Sequence, residues 1–214
     1  MTPKALRELA DKLFADRSTL MMLWQEIAEN FYVERADFTV THTIGEDYAA
    51  HLTSSYPLLC RRDLGDQIGM MLRPTNKPWF HMVPRDVKAE DNPSKRWLEW
   101  ADGTMRRAMY DKSAFFTKAM KQADHDFASF GQEVTSVQLN RFRTALLYQN
   151  WHIKDCVWRE NQDGVLDFKA RKWKGAVIDV VRMFPKADLD PKIRDKISKN
   201  PFEEIELMHI ICEA

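Results

Sequence analysis

The chain has 214 residues, of which 44% are hydrophobic and 30% are charged; this is the mixture of a soluble protein and is enough for one sizeable core. Its 32 basic residues balance its 32 acidic ones, so it has no overall attraction for nucleic-acid phosphates or anionic lipid. These values exclude a wholly disordered chain, and they restrict any contact with nucleic acid to a local surface.

No uninterrupted apolar run approaches the length that crosses a bilayer, and residues 1–17 mix charges with apolar positions. We therefore expect neither a membrane span nor a signal peptide. The three cysteines, Cys60, Cys156 and Cys212, form no CxxC pair and have no metal-binding spacing. Reduced and buried thiols are favoured over a disulfide or a zinc site, which suits assembly in a cytoplasm.

The N-terminal residues predict a helix that begins at Thr2-Pro3, where a capping residue precedes a proline suited to the first turn. Its apolar stripe continues to Phe31, either as one long helix or as two helices with a break near residues 16–18. Residues 39–55 are rich in Thr and Ser and show no sustained periodicity. An exposed loop, with room for a short strand, is the prediction there.

Two more helices are predicted before residue 110. Ser54-Ser55 can cap a helix that stops before Pro74, and Asn92-Pro93 repeats the cap-plus-proline start of a third helix. Between them, residues 79–83 (WFHMV) form a short apolar segment bounded by prolines. Because proline cannot donate to a strand ladder, this segment is predicted to be an edge strand or a tethered loop.

At the centre of the sequence a helical pattern changes into an alternating one. Phe116, Ala119, Ala123, Phe127 and Phe130 recur at three- and four-residue steps, and Gly131 can close that helix in the left-handed conformation. Apolar residues then fall at every second position, which is typical of strands with one buried face, and Asp163-Gly164 indicates a hairpin. The alternating residues are Val137, Leu139, Trp151, Ile153 and Val157.

The last forty residues predict a short helix closed by Pro185, a second helical turn opened by Asp190-Pro191, and a final strand from Phe202 to Cys212. The predicted class is therefore α+β, with N-terminal helices packed on a small antiparallel meander or barrel-like sheet. Three segments follow from this pattern: a helical region at 1–130, the meander at 131–173, and short helices with a final strand at 174–214.

Two clusters of polar residues could suggest chemistry. In Asp124-His125-Asp126, neighbouring side chains on a helix diverge by about 100 degrees, so a solvated helix face is favoured over a metal site. His152, Asp155 and Cys156 could suggest a thiol nucleophile with a base. On a strand His152 and Cys156 would share a face, but two pleats apart and without a loop that exposes a nucleophile. A packed or half-buried strand is the prediction for that pair.

A third cluster of polar residues suggests the main alternative function, that of a magnesium-dependent nuclease. Asp163, Asp167 and Lys169 lie on the predicted hairpin, and carboxylates beside a lysine can hold magnesium in nucleases. Asp167 and Lys169 share a face, whereas Asp163 belongs to the turn and is explained by Asp-Gly turn chemistry. Cross-strand charge pairing is therefore the favoured interpretation of these residues.

Four segments of the sequence have a distinctive order. They are residues 23–28 (LWQEIA), 72–80 (LRPTNKPWF), 127–131 (FASFG) and 151–164, which begins WHIKD and contains WREN before Asp163-Gly164. In this order they resemble the portal, or head-to-tail connector, proteins of short-tailed bacteriophages, and the resemblance extends from about residue 20 to 209.

The resemblance implies a structural protein with neither catalytic residues nor cofactor. It implies a ring at one capsid vertex, commonly of twelve subunits, through which DNA is packaged and later ejected. Its partners would be other copies of itself, capsid and scaffold proteins, the terminase motor, a tail adaptor and non-specifically passing DNA, with no membrane. The location would be the portal vertex of the virion, after assembly in the host cytoplasm. In that family the stretch like residues 207–211 leads on to a clip and stem, so a fragment or truncated product is expected.

Aromatic residues concentrate at protein contacts, so Trp79, Phe80, Trp97 and Trp100 are the candidate subunit or shell contacts. Three short basic clusters, Arg61-Arg62, Arg106-Arg107 and residues 169–174, could each touch phosphate, but with acidic residues nearby a solvated or inter-subunit face is favoured. Two other functions stay open from the sequence. One is a magnesium-dependent nuclease or DNA-processing protein that uses Asp163, Asp167 and Lys169, and the other is a helical adaptor with no link to phage.

Overall fold

The computed structural model describes residues 2–43, 45–74, 77–84, 91–184 and 189–212. Contacts group the chain into two units: a terminal unit of residues 1–19 and 152–214, and a central unit of residues 20–151. Helices and antiparallel strands both occur, which confirms the predicted α+β class. The division of the chain at residues 130 and 173 stays a prediction.

The helices begin and end close to the predicted signals. Thr2 caps the first helix by accepting a hydrogen bond from the Ala5 amide, and a break at Arg17 separates the first two helices. The third predicted helix begins one residue earlier than expected, because Asp91 and not Asn92 is its cap. Pro185 lies outside the described residues. The helices are α1 Pro3–Asp16, α2 Ser18–Phe31, α3 Tyr56–Leu72, α4 Asn92–Met109, α5 Phe116–Phe130, α6 Val177–Met183 and α7 Pro191–Lys199.

The strands form two antiparallel sheets where the sequence predicted one meander. Strands β1 Val134–Leu139 and β2 Leu146–Trp151 pair with each other, while the other sheet has the order β3-β4-β5. The latter strands are β3 Cys156–Glu160, β4 Leu166–Ala176 and β5 Glu204–Cys212. A 3-10 turn at Ile153–Asp155 interrupts the alternating run, because His152 turns the chain by accepting a hydrogen bond from the Lys154 amide. Among the described strands neither sheet closes into a barrel.

The core of the terminal unit lies between α1 and one face of the three-stranded sheet. Phe168 and Ala170 of β4 point inward with Val157 of β3, and they pack against Ala10 of α1. Residues 167 and 169 point the other way, as the two-residue period of a strand requires. The predicted Asp163-Gly164 turn is present, with Gly164 at φ 75°.

The core of the central unit is an aromatic cluster. Trp24, Tyr32, Phe38 and Phe130 are all buried, and their ring centroids lie 5.1–6.5 Å apart in the contacting pairs. Phe130 is the last residue of α5, which ends there because Gly131 adopts the left-handed conformation at φ 70°. The predicted stop signal therefore also places an aromatic ring in the core.

Helices α3 and α5 approach each other closely at two glycines. A Cβ atom at Gly65 would lie 2.3 Å from Nδ1 of His125, and one at Gly69 would lie 2.6 Å from Oδ2 of Asp124. Such distances are far inside van der Waals contact, so only glycine fits without displacement of the α5 side chains. Helix packing therefore explains both glycines.

Candidate assembly surface

Asp124, His125 and Asp126 contact three different arginines. Asp124 pairs with Arg73, His125 accepts a hydrogen bond from Arg61, and Asp126 pairs with Arg35. The three side chains diverge as helix geometry predicted, but the predicted solvated face is wrong. His125 and Asp126 are only 7% and 1% exposed. Partners far away in sequence satisfy these polar groups, which makes their burial possible.

His125 lies in a network of charges that joins α3 to α5. Nη1 of Arg61 is 3.1 Å from its Nδ1, and Oδ1 of Asp66 is 3.4 Å from its Nε2. Lys121 and Asp124 on its own helix add opposite charges, and the Tyr32 ring packs edge-on against it. Burial lowers the pKa of His125, and the positive charge of Arg61 lowers that pKa further. The neutral ring is therefore the favoured form.

This network predicts a loss of stability in acid. Because the pKa of His125 is lower in the folded state, the unfolded chain binds the proton more tightly, and stability falls as the pH drops below the ordinary histidine value of about 6.5. The slope from one proton is at most about 1.4 kcal/mol per pH unit. Urea unfolding between about pH 7.5 and pH 5 measures it. In the His125→Gln variant the amide can keep both contacts without titrating, so a slope equal to the wild-type slope would contradict the prediction.

An open groove of about 740 Å³ lies beside these helices, lined by Met70, Tyr110, Met120 and charged residues of α3 and α5. Its charges are largely paired within the chain: Arg73 with Asp124, and Lys121 with Asp66 at 3.2 Å. Paired charges of this kind stabilise the helix contact. They do not present converging acid, base or nucleophile to a substrate.

The structure gives different roles to the three candidate residues for a nuclease site. Asp163 belongs to the turn between β3 and β4, where the Asn161 side chain accepts hydrogen bonds from the amides of residues 163 and 165. Both carboxylate oxygens of Asp167 accept hydrogen bonds from Arg159, which lowers the pKa of Asp167. Lys169 is exposed on the same face. Cross-strand pairing thus accounts for Asp167, and no group of three or more metal-ligating residues occurs in the described ranges.

The pair His152 and Cys156 does not share a strand. His152 caps the 3-10 turn, and Cys156 opens β3 with its thiol buried. Burial raises the pKa of Cys156 to about 11, so the thiol is protonated near neutral pH and is a poor nucleophile. The predicted packed strand is correct for Cys156 and wrong for His152. The predicted burial of the cysteines is correct for Cys156 and wrong for Cys60 and Cys212, which are exposed.

Trp79 and Phe80 lie in a loop segment and contact other aromatic rings of the central unit. The Trp79 ring is parallel to that of Phe116 at 6.2 Å, and its Nε1 donates a hydrogen bond to the Tyr110 hydroxyl. Phe80 packs edge-on against Trp79 at 4.8 Å. Both side chains are partly buried, so their first role is to hold this loop against α5.

Trp97 and Trp100 are placed differently, since they are 60% and 61% exposed on α4. The opposite side of that helix is anchored by Ala101 and by Asp102, whose carboxylate accepts a hydrogen bond from the Met82 amide at 2.9 Å. We define the α4 face as the exposed side of this helix. It comprises Arg96, Trp97, Trp100, Gly103 and Arg107.

The segments on which the family resemblance rests supply structural contacts. Gln25 is buried and joins α2 to the following loop by binding the Ala36 carbonyl and the Phe38 amide. Ser129 donates a hydrogen bond to the His125 carbonyl. Neither the burial of Gln25 nor the arginine partners of α5 could be identified from local sequence patterns.

These contacts describe an α+β scaffold in which Asp124 and Asp126 of α5 pair with arginines of the chain and two tryptophans of α4 are exposed. The chain belongs to the family described as bacteriophage head to tail connecting protein, which matches residues 3–214. It is thus a structural protein of the phage head-to-tail connection, as the resemblance implied. A search of curated proteins found no match. None of the described helices combines the length and apolar character needed to span a bilayer.

Proposed function

We propose that this protein builds the portal ring at one vertex of the capsid, where it connects head to tail and surrounds the path of DNA during packaging and ejection. The family match over residues 3–214 carries the proposal. A balanced charge supports it, because a surface dense in positive charge would hold passing DNA through counterion release.

The proposed assembly is a homo-oligomeric ring, twelve-membered in its full form, with capsid and scaffold proteins, the terminase motor and a tail adaptor as partners. It forms in the host cytoplasm and ends at the portal vertex of the virion. Trp79, Phe80, Trp97 and Trp100 are the proposed subunit or shell contacts. The exposure of Trp97 and Trp100 supports their part in this proposal.

A nonsense mutation of this gene in the phage that carries it tests the proposal. The expected result is a lysate of heads and tails that are not joined and heads without packaged DNA, as counted by electron microscopy. Supplying the wild-type chain from a plasmid should restore infectious particles. Complete, DNA-filled and tailed virions in the unsupplemented lysate would contradict the proposal.

A further inference from the structure

The α4 face combines exposed aromatic residues with positive charge. Helix α4 has four basic residues, Lys95, Arg96, Arg106 and Arg107, against two acids. One of these acids, Asp102, is buried and directed inward, which leaves Glu99 as the exposed acid of the helix. Large aromatic side chains beside arginine form the composition typical of strongly bound interface centres.

Gly103 lies in the middle of α4, where glycine is unfavourable for a helix. A Cβ atom added at this position would meet nothing within 4 Å among the described residues, so the fold of one copy does not require glycine here. The position lies one turn after Trp100 and one turn before Arg107, on the α4 face. A missing side chain there leaves room for the close approach of another backbone.

A second exposed surface, on α2 of the same unit, has the complementary character. Met22 and Leu23 are 60% and 51% exposed, and they lie on one side of the helix with the exposed Glu26 and the partly exposed Glu29. These two glutamates are the charged residues of α2, which has no basic residue. We define Met22, Leu23, Glu26 and Glu29 as the α2 face.

We infer that the α4 face of one copy docks on the α2 face of a second copy. This inference rests on the proposed function and names the two surfaces that would join neighbouring subunits. Arg96 and Arg107 would face Glu26 and Glu29, and the tryptophans would cover the apolar residues of α2.

The charges also determine the symmetry of the contact. Two α4 faces would oppose basic residues to basic residues, and two α2 faces would oppose acids to acids, so self-pairing of either face is disfavoured. Pairing of unlike faces is head to tail, and a repeated head-to-tail contact closes into a ring when its rotation permits. The same contact therefore serves every subunit of a ring.

Two blocked variants of the full chain test the inference. Gly103→Leu adds a side chain to the α4 face at a position where one copy has open space, and Leu23→Asp adds a charge to the apolar part of the α2 face. Sedimentation velocity over a concentration series should show oligomers for the wild-type chain and monomers for each variant. An equimolar mixture should form a heterodimer and nothing larger, because it holds one intact α4 face and one intact α2 face.

Charge reversal supplies the second arm of the test. Arg96→Glu should weaken assembly, and adding Glu26→Arg in the same chain should restore it, whereas higher salt should weaken the wild-type assembly. Leu64→Asp is the matched control, since Leu64 is 48% exposed on α3 and lies on neither face. Circular dichroism of each variant checks that the helices are retained.

Three other outcomes would refute the inference, and they can be distinguished from one another. Oligomers that form equally well in the wild type and both blocked variants would refute these two faces while leaving the proposed ring intact. A wild-type chain that stays monomeric at all concentrations refutes the inference, and the phage experiment then decides separately on the proposed function. Loss of duplex DNA binding in Arg96→Glu with unchanged assembly would assign the α4 face to nucleic acid instead.

Discussion

Replacing Arg35 with methionine is expected to destabilise the central unit by about 3–5 kcal/mol, because it leaves a buried carboxylate without its cation. Arg35 follows α2 in a 3-10 turn, and its guanidinium donates hydrogen bonds to both carboxylate oxygens of Asp126, at 3.1 and 2.9 Å. It also donates one to Oδ1 of Asn150 on β2 at 2.6 Å. Asp126 is 1% exposed, so water cannot replace the lost partner.

Urea unfolding followed by circular dichroism measures this loss. Arg159→Met is the matched control, because Arg159 makes the same two-pronged contact to Asp167 on the outward face of the sheet, where its side chain is 40% exposed, and its removal should cost less. Combining Arg35→Met with Asp126→Leu should recover much of the stability, since both charges are then absent. If Arg35→Met costs no more than Arg159→Met, then Asp126 is not the buried charge that the contacts indicate.

Many helix ends could be predicted because a local signal marks them. Thr2-Pro3 begins α1, Gly131 ends α5 in a left-handed conformation, and the prolines limit α3 and α4 as expected. The sequence signal for the Asp163-Gly164 turn is equally local, and the turn is present. Such signals depend on a few neighbouring residues, which is why they could be read without knowing the tertiary contacts.

The sheets and the buried polar groups depend on distant residues instead. Arg35 and Asp126 are separated by 91 positions, and no local pattern of α5 indicates that its acids are covered by arginines. The run from Trp151 to Val157 alternates as one strand would, although a 3-10 turn divides it. A period of two over so few residues fits a turn as well as a strand.

For the candidate site, aromatic content alone could not distinguish a tryptophan that packs within the fold from one that is exposed. Trp79 and Trp97 were both predicted as assembly contacts, but Trp79 packs on Phe116 while Trp97 is 60% exposed. The sequence did not indicate a functional role for Gly103, because that role is inferred from the open space around the residue in the fold. The charge difference between α2 and α4 was present in the sequence and became informative once both helices had an exposed face.

The Arg17→Met substitution is expected to lower the free energy of unfolding by about 2–4 kcal/mol, because hydrogen bonds from a charged donor stabilise a fold more than neutral ones do. Arg17 stands between α1 and α2, and its guanidinium donates hydrogen bonds to the carbonyl oxygens of Ile153, Lys154 and Cys156. These carbonyls belong to the 3-10 turn and the start of β3. One side chain thus fixes the turn that divides the predicted meander.

The planar guanidinium of Arg17, whose N–H groups form a fork of donors, is essential to this contact. Burial lowers the pKa of Arg17 to about 10, which still leaves it charged at neutral pH, so charge alone would be kept in Arg17→Lys. A lysine ammonium is a compact donor on a flexible stem and cannot reproduce the planar arrangement, so it should restore only part of the loss. Arg7→Met is the control, since Arg7 is an exposed residue of α1 in a surface pair with Asp11. Unfolding curves at neutral pH that place Arg17→Lys level with the wild type would mean that charge, and not the fork, holds the turn.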